Sequence, residues 1–138
     1  MTTAREIMTS PVQCCDEGDS LVDVAKALQQ HGVGSLPVKA ADGSLVGMVT
    51  DRDIVTKAIA EGRDVATTTA GDLASGKVVT VEANDSAEQA GKALADNQIR
   101  RVPVMDGRDV VGMISQADIA RSLSNGETGD VVQAISQR

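Results

Sequence analysis

Two short stretches of this chain set a hydroxyl and a carboxylate at a fixed interval. They are Thr50 and Asp53 in Gly47-Met48-Val49-Thr50-Asp51-Arg52-Asp53, and Ser115 and Asp118 in Gly112-Met113-Ile114-Ser115-Gln116-Ala117-Asp118. Each reads as glycine, two apolar residues, Ser or Thr, two free positions, then Asp. A carboxylate one turn into a helix can accept both hydrogen bonds of a ribose diol. A hydroxyl at the helix start can hold ribose or phosphate, where free N–H groups and a partial positive charge gather. The glycine would let a ligand approach the strand backbone. The same spacing also makes a capping box, in which hydroxyl and carboxylate satisfy orphan N–H groups of their own helix. Ser20-Leu21-Val22-Asp23 repeats that pattern elsewhere in the chain. On spacing alone both readings stay open.

Other chemistry is thinly represented. The single histidine, His31, precedes Gly32 at a helix end, where it reads as a charge complementing the helix dipole. No second histidine or paired Cys/Asp stands at metal-ligand spacing, so no metal site is expected. Cys14 and Cys15 are neighbours, which disfavours a loop-closing disulfide between them and suggests two thiols at a strand end. They lack a histidine partner for nucleophilic catalysis, and no P-loop or dinucleotide fingerprint is present. The chain therefore reads as a non-enzyme. Arg52, Lys57, Arg100, Arg101 and Arg121 cluster near the two stretches. The Arg100-Arg101 pair, directly before a strand in an acidic chain, stands out as a candidate phosphate contact.

The 138 residues carry a formal charge of −7, with no Phe, Tyr or Trp. A core must come from Val, Ala, Leu, Ile and Met, so any bound ring would lie against aliphatic side chains. The acidic balance argues against nucleic acid and against an anionic membrane surface, both of which need basic residues. A free nucleotide needs only a few local cations. No apolar run of about 18 residues predicts a membrane span, and Met1–Met8 lacks the layout of a signal peptide. A cytoplasmic protein is expected.

The elements that would position these residues also come twice. Ser20 caps a helix with Leu21, Val24, Ala25 and Leu28 on one face. Leu36-Pro37-Val38 begins a strand with Pro37 at its mouth, Asp42-Gly43 turns, and Leu45–Val49 returns toward Thr50. A helix follows, ended by Gly62. Ser86 caps the corresponding helix, with Gln89 in the capping box and Ala87, Ala90 and Leu94 buried. Arg101-Val102-Pro103-Val104, the Asp106-Gly107 turn and Val110–Ile114 then repeat the hairpin, one residue shorter. An internal repeat fixes the architecture before local detail does. The expected organisation is one β-α-β-β-α repeat over 4–62, a linker over 63–69, a second repeat over 70–124 and an extension over 125–138. Within the extension, 130–135 could form an amphipathic turn on a partner surface. A single such unit is marginal alone, so the two should share a core with pseudo-two-fold symmetry.

Ala4-Arg5-Glu6-Ile7-Met8-Thr9, Val33–Val38, Leu45–Ile54 and their second-half echoes resemble a tandem pair of CBS (cystathionine-β-synthase) domains, a Bateman module. The resemblance spans about residues 4 to 124. It implies an α/β (α+β) fold and a regulatory module sensing an adenosine-containing ligand (AMP, ADP, ATP or S-adenosylmethionine) in a cleft between repeats. Thr50 and Asp53 would serve one site and Ser115 and Asp118 the other. The backbone of Gly34, Ser35, Leu36 and Pro37, and of Arg100, Arg101, Val102 and Pro103, would read the adenine edge. Val12–Cys14, and Val79, Thr80 and Val81, would add a wall. No cofactor is implied, and a homodimer is. The apolar faces of Ile54-Val55-Ala58-Ile59 and Ile119-Ala120-Leu123 are candidates for its surface and equally for core. The alternative is a CBS-fold interaction protein of the stress or dormancy type, with vestigial sites.

Overall fold

The computed structural model describes residues 2–74 and 78–122. The described elements form two compact units, Gln13–Val78 and Met1–Val12 with Val79–Arg138. Each contains a three-stranded sheet with helices, so the mixed α/β class and the repeated strand–helix order are as expected.

In the Gln13–Val78 unit, β1 (Cys15–Asp16) runs parallel to β2 (Ser35–Lys39), which pairs antiparallel with β3 (Leu45–Thr50). Between β1 and β2 lies α2 (Leu21–His31), whose start is fixed by the Ser20 hydroxyl accepting from the Asp23 N–H at 3.2 Å. Leu21, Val24 and Leu28 face the core. Ala25, expected on that face, is exposed, and Ala27 packs against the core instead. Full burial of such aliphatic side chains contributes about 1.5–3 kcal/mol each. The core of Leu21, Val24, Leu36, Val38, Val49 and Ala58 closes without an aromatic ring.

The second unit repeats this plan. There β4 (Val81–Glu82) is parallel to β5 (Arg101–Asp106), which pairs antiparallel with β6 (Asp109–Ser115). The helix α5 (Ala87–Asn97) buries Ala87, Ala90, Gly91 and Leu94 behind a Ser86–Gln89 capping box. Its C-cap is Gln98, left-handed at φ 53°, where α2 ends on Gly32 at φ 64°.

Pro37 is not at the mouth of its strand. It sits mid-β2 opposite Met48, as Pro103 sits mid-β5 opposite Met113. Proline has no N–H for a ladder. Here β1 and β4 are two residues long and begin pairing only opposite Val38 and Val104, so no parallel neighbour needs a donor at the prolines.

The lead-in helices exchange places. The helix α1 (Ala4–Ile7) docks in the second unit, with the Ala4 and Arg5 N–H groups donating to the Asp85 and Ala83 carbonyls at 2.7 and 3.0 Å. The helix α4 (Ala70–Leu73) docks in the first unit, through Ala70 N–H to Asp19 carbonyl and Gly71 N–H to Glu17 carbonyl at 2.8 and 2.9 Å. Sequence period and spatial unit are thus different partitions of the chain. The amphipathic stretch expected at 130–135 lies outside the described residues.

Candidate ligand-binding site

Each hydroxyl–carboxylate pair lies where the returning strand becomes a helix. Thr50 ends β3 and caps α3 (Asp51–Asp53), which continues as a π-helix over Ile54–Ile59. Its wider turn is seen in the Ala60 N–H donating to Val55 carbonyl at 2.8 Å, and it closes in a Schellman cap at left-handed Gly62, with Arg63 N–H donating to Ala58 carbonyl at 2.9 Å. Ile54 and Ala58 point into the core, while Val55 and Ile59 stand 55% and 58% exposed. The Ile54-Val55-Ala58-Ile59 face therefore divides between core and surface. Ser115 ends β6, and α6 (Gln116–Ser122) follows, with Ile119 buried and Ala120 exposed; Leu123 lies outside the described residues.

The two junctions share a frame. Asp53 N–H donates to Thr50 Oγ1 at 2.9 Å and Thr50 N–H to Asp53 Oδ2 at 3.2 Å. Asp118 N–H donates to Ser115 Oγ at 3.2 Å and Ser115 N–H to Asp118 Oδ2 at 2.9 Å. Both are complete capping boxes. The remaining oxygens differ in their surroundings. Asp53 Oδ1 is 3.3 Å from Lys57 Nζ, and the Asp53 side chain keeps 21% exposure. Asp118 is 4% exposed, pairs through Oδ1 with Arg121, and faces the Thr9 hydroxyl with both oxygens at 3.4 and 3.5 Å.

The other expected residues fall around these junctions within each unit. Ser35 is the register partner of Thr50, and the Gly34 carbonyl accepts from Asp51 N–H at 2.9 Å. Arg101 is the partner of Ser115, and the Arg100 carbonyl accepts from Gln116 N–H at 3.1 Å. Arg100 and Arg101 are exposed, whereas Leu36, Pro37, Val102 and Pro103 are buried. The latter four could offer a ligand only their backbone. Val79 and Thr80 precede β4; Val79 packs on the core of its unit and Thr80 is exposed.

Gly112 accommodates a close approach, but by the chain itself. A Cβ there would meet Met8 Sδ, with Met8 Cγ at 2.8 Å and the Thr9 carbonyl oxygen at 3.0 Å. Thr9 is bridged to Met113 in both directions, N–H to carbonyl, at 2.8 and 3.1 Å. The role of Thr9 escaped sequence reasoning because it meets Asp118 from the far end of the chain. Its place beside the repeated Ala4–Met8 lead-in was the only signal.

The cysteines offer little nucleophile. Cys15 is buried in β1, and desolvation, reinforced by Asp19, Cys14 and Asp16, pushes its thiol up to about 12. Burial also raises Cys14, against a lowering by Lys39. Among the described residues, no group of three or more His, Cys, Asp or Glu is placed to hold a metal ion. Also among them, no helix is long and apolar enough to cross a membrane.

Comparison with known proteins matches residues 4–59 and 70–125 to the CBS domain. Hypoxic response protein 1 of Mycobacterium tuberculosis is 42% identical over 135 residues, covering 98% of this chain and 94% of that one. The CBS domain-containing protein YhcV of Bacillus subtilis is 34% identical over 139 residues, covering 100% and 98%. Among solved structures, hypoxic response protein I with two coordinated zinc ions superposes with TM-score 0.82 at 44% identity, covering 89% of this chain and 100% of that one. The CBS domain pair of protein MJ0100, in complex with 5′-methylthioadenosine and S-adenosyl-L-methionine, superposes with TM-score 0.76 at 28% identity, covering 88% and 95%. Two matched copies, each ending a hairpin in the same capped strand–helix junction, place this chain in the CBS-domain family as a tandem pair.

Proposed function

We propose that this chain is a non-catalytic regulatory module that binds an adenosine-containing small molecule at the hydroxyl–carboxylate junction. The observation that supports this best is the half-open Asp53 carboxylate. One oxygen caps the helix, and the other faces, among the described residues, the ammonium of Lys57, itself 55% exposed. An exposed i,i+4 pair contributes about 0.3–0.5 kcal/mol, so a ribose hydroxyl could replace it at small cost. Thr50 Oγ1 stands one turn away to accept or donate a further bond. A relative 28% identical to this chain has been solved with two adenosyl compounds, which favours that ligand class. AMP, ADP, ATP and S-adenosylmethionine are the candidates, with the backbone of Gly34–Pro37 beside Thr50 as the base-reading edge. The exposed Val55 and Ile59 would form part of a homodimer surface. Signalling then requires that the ligand favour one of two states of the module or its assembly.

A second reading rests on the completeness of both capping boxes. Every hydroxyl and carboxylate in question already has a structural partner, which would suit an interaction protein of the stress type with vestigial sites. Thermal melts followed by circular dichroism, with AMP, ATP and S-adenosylmethionine each in large excess, separate the two. A ligand at about 100 times its Kd stabilises by about 2.7 kcal/mol. The first reading expects a clear upward shift with one compound, lost in Asp53→Asn. No shift with any of them selects the second.

A further inference from the structure

We propose that the lead-in, residues 2–9, is a strap that leaves its unit and returns as one piece, while the sheet and helices beneath it stay folded. Topology permits this. The lead-in packs in the unit of Val79–Arg138 but runs on along the chain into the other unit, Gln13–Val78. Contacts alone therefore hold it to residues 79–122. The helix α4 is placed differently, since the unit it docks in, Gln13–Val78, also contains the chain on both sides of it.

The attachments are mostly backbone bonds. Ala4 and Arg5 N–H donate to the Asp85 and Ala83 carbonyls, Ala87 N–H donates to the Thr2 carbonyl at 2.9 Å, and Thr9 and Met113 exchange N–H to carbonyl bonds. Of residues 2–9, Ala4 is buried, and Ile7 and Met8 are partly buried against the core of the unit. Arg5 pairs with Asp106, but both side chains are exposed, at 47% and 62%, and such a pair contributes little. None of these bonds belongs to the β4–β5–β6 pairing, because Thr9 only adds to the outer edge of β6. Removing the strap leaves Leu94, Val102, Val104 and Ile114 packed on one another. A segment with little buried apolar surface opens below the free energy of global unfolding, as a cooperative unit. Opening withdraws the Thr9 hydroxyl from Asp118, which it faces at 3.4 and 3.5 Å, and bares the β6 edge at Met113. The strap thus sets the surroundings of the Ser115/Asp118 pair whether or not a ligand binds.

Hydrogen exchange of the full, ligand-free chain decides this, in the range where the opening equilibrium sets the rate. Ala4, Arg5, Thr9, Ala87 and Met113 are far apart in sequence, yet one opening frees all five amides. Their protection factors should agree within about threefold, and lie about tenfold or more below those of Ala83 and Ile99. The latter two donate to the Met105 and Leu94 carbonyls, away from the strap. Low urea should hardly change the five, which expose little surface on opening, and should steeply lower Ala83 and Ile99. Gly112→Ala, crowding the Met8 end, should lower all five by one common factor of about fivefold or more. Should that variant fail to fold, Ala4→Gly loosens the other end of the strap and should again lower the five together. Scattered protection among the five overturns the proposal. So do values and urea slopes equal to those of Ala83 and Ile99, or a variant that affects only its own end.

Discussion

Replacing Gly112 by alanine tests the seating of the lead-in without altering any polar group. The added Cβ would overlap Met8 Sδ and Cγ and stand 3.0 Å from the Thr9 carbonyl oxygen. Met8 is flexible and can swing aside cheaply. The Thr9 carbonyl cannot, because it accepts from Met113 N–H and its own N–H is bonded in return. Relief therefore comes either from strain, about 1–3 kcal/mol for overpacking, or from loosening two backbone hydrogen bonds of about 1 kcal/mol each. Either route gives a loss of about 1–3 kcal/mol, which lowers the Tm by about 3–10 °C in a chain of this size. Calorimetric melts of the single variant and of Met8→Ala/Gly112→Ala read the coupling directly. The double variant should stay additive within about 0.5 kcal/mol, because the cost lies at the Thr9 carbonyl rather than at the Met8 side chain. A Gly112→Ala protein that melts within about 1 °C of wild type, with its Thr9 amide still protected, would refute the packing argument.

Two further outcomes follow from local chemistry. Gln98→Gly should raise stability by about 0.5–1 kcal/mol, because the left-handed C-cap strains any residue with a Cβ and the α2 counterpart is already Gly32; a lower calorimetric Tm would contradict this. The buried Cys15 thiol, raised from 9.0 to about 12, stays protonated where the unfolded chain ionises. The folded state then binds more protons than the unfolded one between those values. Its contribution is complete below pH 9 and is lost as pH rises toward 12, at no more than about 1.4 kcal/mol per pH unit. Urea unfolding across that window should show the decline flattened in Cys15→Ala, and folded protein at pH 8 should leave Cys15 unmodified by iodoacetamide. Modification at the rate of a free thiol would show that the residue is not shielded.

What the sequence made legible was whatever rests on local pattern. The hairpins follow from alternation around Asp42-Gly43 and Asp106-Gly107, and α2 and α5 from the Ser20 and Ser86 caps and helical spacing. Pro37 and Pro103 misled because a central proline normally breaks a ladder. The two-residue length of β1 and β4 that excuses them is a tertiary fact. The π-helix after Asp53 has no local signature, since nothing in Ile54–Ile59 distinguishes one extra residue per turn from an ordinary amphipathic helix. Both hydroxyl–carboxylate pairs fall at strand–helix junctions, as the spacing suggested, but spacing could not separate capping from ligand contact. Among the described residues, the carboxylates differ in their partners, Lys57 at one and Arg121 with the Thr9 hydroxyl at the other. Thr9 and Asp118 lie near opposite ends of the chain, and no period or motif joins them.

The most direct test of the central claim is a two-dimensional amide NMR titration of the full chain with AMP, ADP, ATP and S-adenosylmethionine in turn. Asp53 N–H is bonded to Thr50 Oγ1 and Thr50 N–H to Asp53 Oδ2, so any ligand that takes this hydroxyl or carboxylate must shift both resonances. The account predicts saturable shifts at Thr50 and Asp53 with one of the compounds. Saturable binding that leaves Thr50 and Asp53 unmoved, or no binding of any of the four, would contradict it.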